Sequence, residues 1–393
     1  MSKAVNLIRP ALMPELDEAL ARPAALIKTA RRITVKVGSS LLVDASGNGV
    51  RSAWLSVLGG EVAALRDEGK QIALVSSGAV ALGRQRLSLK RSPKLALKQA
   101  AAAAGQPLLM RAWEQAFAQF GIPTAQLLLT LDDTESRRRW LNARATMEVL
   151  LSNGSIPVVN ENDTVATDEL RYGDNDRLSA RVAQMIQADL LILLSDVDGV
   201  YTGDPTRDRS ATHVPHIGAI TEEVESWAGR ASGAGVGSGG MRTKIAAARV
   251  AQSFGCATII ASGREEHPLR ALLDGGRATV IDAKGSPARA YKQWIAGTLV
   301  PAGSVSVDAG ARSALSAGKS LLPAGVRAVG GSFERGVCLR VLGPDGQEVA
   351  RGITAYTSAE TQAILGCPSS EIEARLGYTG PEELIHRDDL VLM

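Results

Sequence analysis

The chain has few of the residue types that define several protein classes. It contains only three cysteines among 393 residues, and Cys256, Cys338 and Cys367 lie far apart without the spacing of metal ligands. A small, odd number of cysteines argues against a disulfide-stapled secreted protein and fits a reducing compartment. The formal net charge is +3, which is too small to indicate a nucleic-acid or membrane surface.

Long apolar runs are also missing. No apolar stretch reaches the roughly 18 residues that a membrane-spanning helix needs. Residues 1–32 hold six basic and three acidic residues, and without an apolar core they suit neither a signal peptide nor a transit peptide. We therefore expect a cytoplasmic protein without a membrane partner, in which residues 1–30 form an amphipathic extension.

Glycine, by contrast, is dense in residues 233–244, which read GAGVGSGGMRTK. Because glycine lacks a Cβ, backbone N–H groups in such a segment can approach a bulky anion. A helix that starts directly after it adds unpaired donors and a partial positive charge, and Lys244 lies where a cation could contact a phosphate. The spacing matches neither a Walker loop nor a dinucleotide fingerprint. A flexible linker is the alternative, but the transition into a helix favours a nucleotide triphosphate site.

Strands and helices alternate through the first two thirds of the chain. A helix is predicted over 94–120, with an interruption near Gly105 and Pro107. The alternation predicts an α/β fold whose mostly parallel central sheet is covered on both faces. Short apolar strands are predicted at 33–37, 71–75, 124–129, 156–159, 190–194 and 257–260.

Ligands of such sheets bind outside the carboxyl ends of the strands. Four of the predicted strands end in small, polar or acidic residues, at 38–40, 76–78, 160–163 and 195–196. The sequence therefore predicts one site at this edge of the sheet.

The composition changes after about residue 285. Residues 301–380 hold short β-like pieces separated by glycine, which predicts a compact β-rich second domain. We expect an N-terminal extension at 1–30, an α/β domain at 31–285 and a β-rich domain at 301–380.

From about residue 33 to 389, the chain resembles the glutamate 5-kinase family of the amino acid kinase superfamily, in the form that carries a C-terminal PUA domain. Two of the matching segments, NENDTVAT and GDNDRLSA, are specific to this kinase within the superfamily. The matching segments are KVGSS at 36–40, VSSGA at 75–79, NENDTVAT at 160–167, GDNDRLSA at 173–180, LLSDVDGVYTGDP at 193–205 and SGGMRTK at 238–244.

The resemblance implies an amino acid kinase-like three-layer sandwich and ATP-dependent phosphorylation of the γ-carboxylate of L-glutamate, the first step of proline synthesis. Donor, acceptor and transferring group are all negative, so the protein has to neutralise charge and align the reactants. A carboxylate is already ionised at pH 7 and needs no general base, which agrees with a site that has lysines and no candidate histidine.

The resemblance also implies the catalytic residues. Lys36 and Lys244 would contact the transferring phosphoryl group from different sides, and Asp176 would hold both lysines by ion pairing. We expect the two ammonium groups to converge in one site. Both Lys36 and Asp176 also have an interpretation without a catalytic role. Lys36 would be a lysine at a strand end that extends its ammonium group to water, and Asp176 a carboxylate favoured by the helix dipole in a first turn.

Ser77, Asp163 and Asn175 match the glutamate-binding positions of the family. A carboxylate such as Asp163 can bind the substrate ammonium, and Asn175 and Ser77 can bind carboxylate oxygens. An ordinary turn and a solvated loop are the alternatives at these positions.

The nucleotide side is also implied by the resemblance. Ser195 and Asp196 match the adenine and ribose side, and the family more often has threonine at the positions of Ser195 and Ser238. Mg²⁺ is implied by ATP chemistry and would be held by phosphates and water, because no carboxylate cage for a metal is visible. The sequence leaves open whether Arg242 reaches the triphosphate. The expected ATP-binding residues are Lys36, Ser195, Asp196, Ser238, Gly239, Gly240, Met241, Arg242, Thr243 and Lys244.

Residues 164–172 are predicted as a hairpin or lid beside the substrate loop. Because members of the family are often inhibited by proline and tend to form dimers or tetramers, we expect proline inhibition and a homo-oligomer here.

Two other functions stay open at this point. One is a different amino acid kinase, acting on aspartate or N-acetylglutamate. The other is RNA binding through the PUA domain, but residues 301–393 contain eight basic and eleven acidic residues, a poor electrostatic match to RNA.

Overall fold

A computed structural model describes residues 13–44, 49–92, 94–165, 175–230, 240–297 and 299–393. The described residues fall into two compact units. The first lies within Met1–Thr134 and Ala143–Ser286, and the second within Glu135–Asn142 and Pro287–Met393. Each unit has a buried apolar core of its own.

The central sheet of the first unit contains eight strands of the described residues, in the order β3-β4-β2-β1-β5-β9-β10-β8. Two more strands, β6 and β7, form a separate two-stranded ribbon. The strands are β1 Arg32–Val37, β2 Gln71–Ser76, β3 Thr124–Leu129, β4 Ile156–Glu161, β5 Leu190–Ser195, β6 Val200–Tyr201, β7 His213–Val214, β8 His216–Ile217, β9 Ala257–Ser262 and β10 Ala278–Ile281.

The pairing in this sheet is mostly parallel. Strand β1 pairs in parallel with β2 and β5, and the parallel register continues to β4, β3 and β9. Strand β10 pairs antiparallel with β9. The predicted α/β class with a mostly parallel sheet is therefore confirmed.

Helices cover both faces of the sheet, which makes three layers. On one face, Val35 and Val37 of β1 pack in a core with α3 and α5 residues such as Trp54 and Leu109. On the other face, α8 and α10 contact each other and contact strands β1, β5 and β9. The helices up to residue 273, of which α6 and α7 include residues assigned to the second unit, are α1 Met13–Thr29, α2 Ser39–Leu42, α3 Ser52–Asp67, α4 Ala79–Arg86, α5 Leu95–Ala118, α6 Leu131–Glu135, α7 Arg137–Ser152, α8 Asn175–Met185, α9 Glu222–Arg230, α10 Met241–Ser253 and α11 Pro268–Leu273.

Helix α5 differs from its sequence prediction, because it is continuous through Gly105 and Pro107. A proline removes the hydrogen bond to the carbonyl four residues earlier. Both Pro107 and Ala103, which carries that carbonyl, are exposed, so water can satisfy the unpaired oxygen. The buried face of the helix is unaffected.

The second unit is built around one sheet of five strands of the described residues, in the order β12-β11-β13-β14-β15. Strands β11 and β13 pair in parallel, and the other pairs are antiparallel. The β-rich prediction is confirmed, but four short helices within 287–376 were not predicted. The strands are β11 Gly303–Val307, β12 Val326–Gly330, β13 Cys338–Leu342, β14 Glu348–Ile353 and β15 Leu390–Leu392, and the helices are α12 Pro287–Gly297, α13 Ala309–Ser316, α14 Ser358–Ala363 and α15 Ile372–Leu376.

In the part of the chain that the structure describes, no helix combines the length and the apolar character that crossing a bilayer requires. All three cysteines are free thiols and are buried. The predicted lid at 164–172 lies mostly outside the described residues.

Candidate active site

Asp176 lies between two lysines that come from different parts of the first unit. Its Oδ1 lies 2.5 Å from Nζ of Lys36, and its Oδ2 lies 3.2 Å from Nζ of Lys244. Lys36 is on β1, Asp176 is in the first turn of α8, and Lys244 is in the first turn of α10. One carboxylate therefore holds both ammonium groups in a single site, as the sequence led us to expect.

The alternation of side chains along β1 explains how Lys36 reaches this site. Val35 and Val37 point into the core on the α3 side of the sheet, so Lys36 between them points to the opposite face. That face carries α8 and α10. The N-terminal turns of both helices then meet the lysine at one end of the strand.

The three charged groups are almost completely removed from water. The exposed fractions of the side chains are 1% for Asp176, 2% for Lys244 and 7% for Lys36. Burial pushes the pKa of Asp176 up, but the charges of Lys36 and Lys244 outweigh it, so the pKa lies well below its ordinary value. Burial lowers the pKa of Lys244, and the charge of Asp176 opposes that shift. Asp176 is thus an ionised carboxylate that stabilises two buried cations.

Thr243 adds a hydroxyl to the same carboxylate. Its Oγ1 lies 2.7 Å from Oδ2 of Asp176 and 2.8 Å from the carbonyl oxygen of Gly240, and its single proton can be donated to one of them at a time. Gly240 is the extended N-cap residue of α10, and a glycine has no side chain that could cap the helix start. The first turn of α10 therefore leaves backbone N–H donors and a positive dipole end beside Lys244.

The remaining residues expected on the nucleotide side fall into two groups. Ser195 is buried at the end of β5, and its hydroxyl donates to Oδ1 of the exposed Asp196 over 3.0 Å. Met241 is half-buried and Arg242 is exposed at the start of α10. Ser238 and Gly239 lie outside the described residues.

Of the residues expected to bind the substrate, the structure brings Asn175 and Ser77 together. Nδ2 of Asn175 donates to Oγ of Ser77 over 2.7 Å and to Oδ1 of Asn160 over 3.0 Å. Nδ2 of Asn160 in turn donates to Oε1 of Gln106 over 2.8 Å. The sequence predicts Asn160 only as one of the polar residues at 160–163 and predicts no role for Gln106, although a glutamine in an alanine-rich helix is a usable signal.

Asp163 has a partner that the sequence did not predict. Its Oδ1 lies 3.5 Å from Nζ of Lys98 on α5, and its side chain is 10% exposed. Burial raises the pKa of Asp163, and the charge of Lys98 opposes this. The pair brings a carboxylate and an ammonium together, which suits recognition of a zwitterion.

Gly78 shapes the end of β2 next to Ser77. It has a φ of +113°, which is rare for residues with a side chain, and it is the N-cap residue of α4. The turn therefore directs the chain from β2 straight into the helix beside the carboxyl ends of the strands.

This geometry defines a class of protein. Two buried cations, held by one carboxylate where two helices begin at the edge of a parallel sheet, suit the binding of a phosphoryl group. The amino acid kinase family matches residues 31–262, and the PUA domain matches residues 303–376.

Curated relatives agree with this assignment over nearly the whole chain. The chain is 60% identical over 368 residues to glutamate 5-kinase of Caulobacter vibrioides, which covers 93% of this chain and 97% of that protein. It is 52% identical over 366 residues to glutamate 5-kinase of Paramagnetospirillum magneticum, with 93% and 99% covered. It is 53% identical over 363 residues to glutamate 5-kinase 1 of Rhizobium meliloti, with 92% of each covered.

Among solved structures, the chain is similar to a carbamate kinase from Giardia lamblia bound to AMP-PNP, with 15% identity, a TM-score of 0.48 and coverage of 65% of this chain and 100% of that chain.

The chain belongs to the amino acid kinase family and, within it, to the glutamate 5-kinases, with a PUA domain after the kinase.

Proposed function

We propose that this protein transfers the γ-phosphoryl group of ATP to the γ-carboxylate of L-glutamate, which is the first step of proline synthesis. The observation that carries the proposal is the buried arrangement of Lys36, Asp176 and Lys244. The glutamate 5-kinase relatives supply the identity of the acceptor.

The reaction needs charge neutralisation more than acid–base chemistry. An oxygen of the ionised γ-carboxylate forms a bond to the γ-phosphorus, and the bond from that phosphorus to the β–γ bridging oxygen breaks, leaving ADP. Lys36 and Lys244 offset the negative charge that this transfer brings together, and Asp176 positions their ammonium groups. No proton has to be removed from the acceptor, because a carboxyl group is ionised at neutral pH.

We propose that Mg²⁺ accompanies ATP and is held by phosphate oxygens and water. Among the described residues, no group of three or more His, Cys, Asp or Glu side chains is placed to hold a metal. Asp176 is already paired with both lysines. When bound, the ion supplies neutralisation of charge on the triphosphate.

Glutamate binding is assigned to Ser77, Asp163 and Asn175. The largely buried carboxylate of Asp163 suits the α-ammonium group of the substrate, and this group would lie beside the ammonium of Lys98 or take its place. The nucleotide is assigned to Ser195 and Asp196 and to residues 238–244, whose described part is the start of α10.

We also propose the boundaries and regulation that the family suggests. Residues 1–30 form an extension, 31–285 the kinase domain and 301–380 the PUA domain. Proline would inhibit by competing with glutamate, and the protein would form a homo-oligomer. Activity measured against rising proline, and the mass of the protein in solution, test these two points.

The central test is an assay that traps the acyl phosphate with hydroxylamine. The wild type should form hydroxamate only when both ATP and L-glutamate are present, and Lys244→Met should reduce kcat by about 10²–10³-fold. Lys70→Met is the matched control, because Lys70 is also a buried lysine, but its ammonium donates to the carbonyl oxygens of Lys28 and Ala30 over 2.8 and 3.1 Å. That variant should lose stability and keep kcat.

Substrate choice separates the alternatives. A wild type that phosphorylates N-acetylglutamate or aspartate but not glutamate would reject the proposed acceptor.

A further inference from the structure

The orientation of the Asn175 side chain is fixed by its neighbours. Its Nδ2 lies 3.4 Å from the carbonyl oxygen of Ser76, which can only accept a hydrogen bond, so the nitrogen of the amide must be on that side. The same nitrogen donates to Ser77 and Asn160 over 2.7 and 3.0 Å. The N–H groups of Asn175 are therefore committed to acceptors in the protein.

The other end of the amide, Oδ1, is in a different situation. Oδ1 of Asn175 is buried and has no hydrogen-bond partner among the described residues, and the whole residue is only 6% exposed. A buried acceptor without a donor is unfavourable, because it has lost its hydrogen bonds to water and gained none in return. At a binding site, such an atom indicates that the bound ligand supplies the missing donor.

Asn160 passes the orientation on to Gln106. Because Oδ1 of Asn160 accepts from Asn175, its Nδ2 must face the other way, where it donates to Oε1 of Gln106 over 2.8 Å. Asn160 is 2% exposed, so water cannot replace these partners freely. Without an acceptor at residue 106, the side-chain amide of Asn160 could flip. Its Nδ2 would then face Nδ2 of Asn175, and two donors would oppose each other.

Close packing of two helices holds Gln106 in place. A Cβ on Gly105 would lie 1.8 Å from the carbonyl oxygen of Ala79, and a Cβ on Gly83 would lie 1.6 Å from that of Ala101. Only glycine permits this approach of α4 and α5. About two turns beyond Gln106 on α5, Nε1 of Trp113 donates to the hydroxyl of Ser76 over 2.8 Å, which ties the helix to the end of β2.

We propose that Gln106 is a positioning residue: through Asn160 it holds Asn175 with Oδ1 directed to the α-ammonium group of the amino acid substrate. This inference rests on the proposed function. At neutral pH the two carboxylates of glutamate and the phosphates of ATP are acceptors, so the α-ammonium is the charged donor that glutamate offers. The proposal assigns Asn175 to the ammonium, whereas the sequence led us to expect that it binds carboxylate oxygens.

The test compares glutamate with glutarate, which keeps both carboxylates but lacks the ammonium. Their dissociation constants are measured by titration calorimetry for the wild type and for Gln106→Met, which cannot accept from Asn160. Glutamate binding should weaken about tenfold, the loss of one hydrogen bond to a charged group, and glutarate binding should change by less than about twofold. Gln106→Glu keeps an acceptor at this position and should restore glutamate binding to within about threefold.

Gln119→Met is the matched control. Gln119 is the residue that caps the C-terminal end of the same helix, and its Nε2 donates to Oγ of Ser56 over 2.9 Å. It should leave both affinities unchanged. Equal weakening of glutamate and glutarate in Gln106→Met, or unchanged glutamate binding, would overturn the proposal. The hydroxamate assay on the wild type is read separately, so that a failure of the proposed function is distinguished from a failure of this inference.

Discussion

The ammonium group of Lys244 lies 3.2 Å from Oδ2 of Asp176, and both side chains are almost fully buried. Oδ1 of the same carboxylate is occupied by Lys36. Two cations thus share one anion where all three side chains are almost completely removed from water, so the loss of any one of them leaves a buried charge without its partner. This dependence gives the first two predictions.

Asp176→Asn should impair both catalysis and stability. The amide keeps the shape but leaves two buried ammonium groups without a counter-charge, so we expect kcat to fall about 10²-fold or more and the free energy of unfolding to fall by about 3–5 kcal/mol. Steady-state kinetics and urea denaturation measure the two effects. Asp189→Asn is the control: Asp189 accepts from the backbone N–H groups of Arg31 and Arg32 over 2.8 and 3.0 Å, so its loss should reduce stability alone. A kcat within threefold of the wild type in Asp176→Asn would contradict the assigned role.

The lowered pKa of Asp176 predicts an acid-sensitive fold. Since the pKa of the folded state lies below the unfolded value of about 3.9, the carboxylate contributes stability above about pH 4 and loses it as the pH falls toward the folded pKa. The free energy of unfolding of the wild type should therefore decrease between about pH 5 and pH 3. Asp176→Asn should show a smaller decrease over the same range, and parallel curves for the two proteins would contradict the prediction.

Asp163→Asn should stabilise the folded protein at neutral pH and weaken its binding of glutamate. Burial raises the pKa of Asp163, so its ionisation at neutral pH works against folding, and the penalty is absent below the unfolded pKa and grows as the pH rises through the folded pKa. We expect the variant to unfold at a higher urea concentration at pH 7, to lose that advantage below about pH 4, and to raise the KM for glutamate about tenfold or more. Asp132→Asn, at an exposed carboxylate of α6, should change neither quantity. A destabilised Asp163→Asn protein at pH 7 would show that the pairing with Lys98 outweighs burial.

Gly83→Ala should separate α4 from α5. The added Cβ would lie 1.6 Å from a backbone oxygen, so the helices must move, and we expect a loss of about 1–3 kcal/mol in the free energy of unfolding together with a higher KM for glutamate. Gly60→Ala is the control in α3, because among the described residues its Cβ would meet only the ring of the exposed Phe120, at 3.2 Å. It should be tolerated. Equal stability of the two variants would show that α4 and α5 can separate without cost.

The sequence predicts the sheet well for a physical reason. Strands covered on both faces must be continuously apolar, and runs such as residues 190–194 stand out from the helices around them. Polar residues directly after these runs then mark the edge where ligands bind. The convergence of Lys36 and Lys244 followed from the resemblance, and the structure confirms it.

The parts that escaped prediction depend on contacts between distant segments. On α5, Lys98 contacts Asp163 and Gln106 contacts Asn160. Asn160 lies near the end of β4 and Asp163 follows that strand, so both contacts join segments that are distant in the sequence. No local sequence pattern encodes them. Strand β10 is only four residues long, and its antiparallel direction cannot be read from its apolar residues. The expected break at Pro107 was wrong because local propensity takes no account of where the lost hydrogen bond faces.

The shared carboxylate also constrains how this chain can change over time. Lys36 and Lys244 lie far apart in the sequence, yet the same side chain, that of Asp176, neutralises both of them. A replacement at any one of the three positions leaves the others mismatched, so a tolerated exchange would need simultaneous compensating changes in remote segments. We therefore expect single substitutions at these three positions to be tolerated less readily than substitutions at exposed positions outside the proposed site.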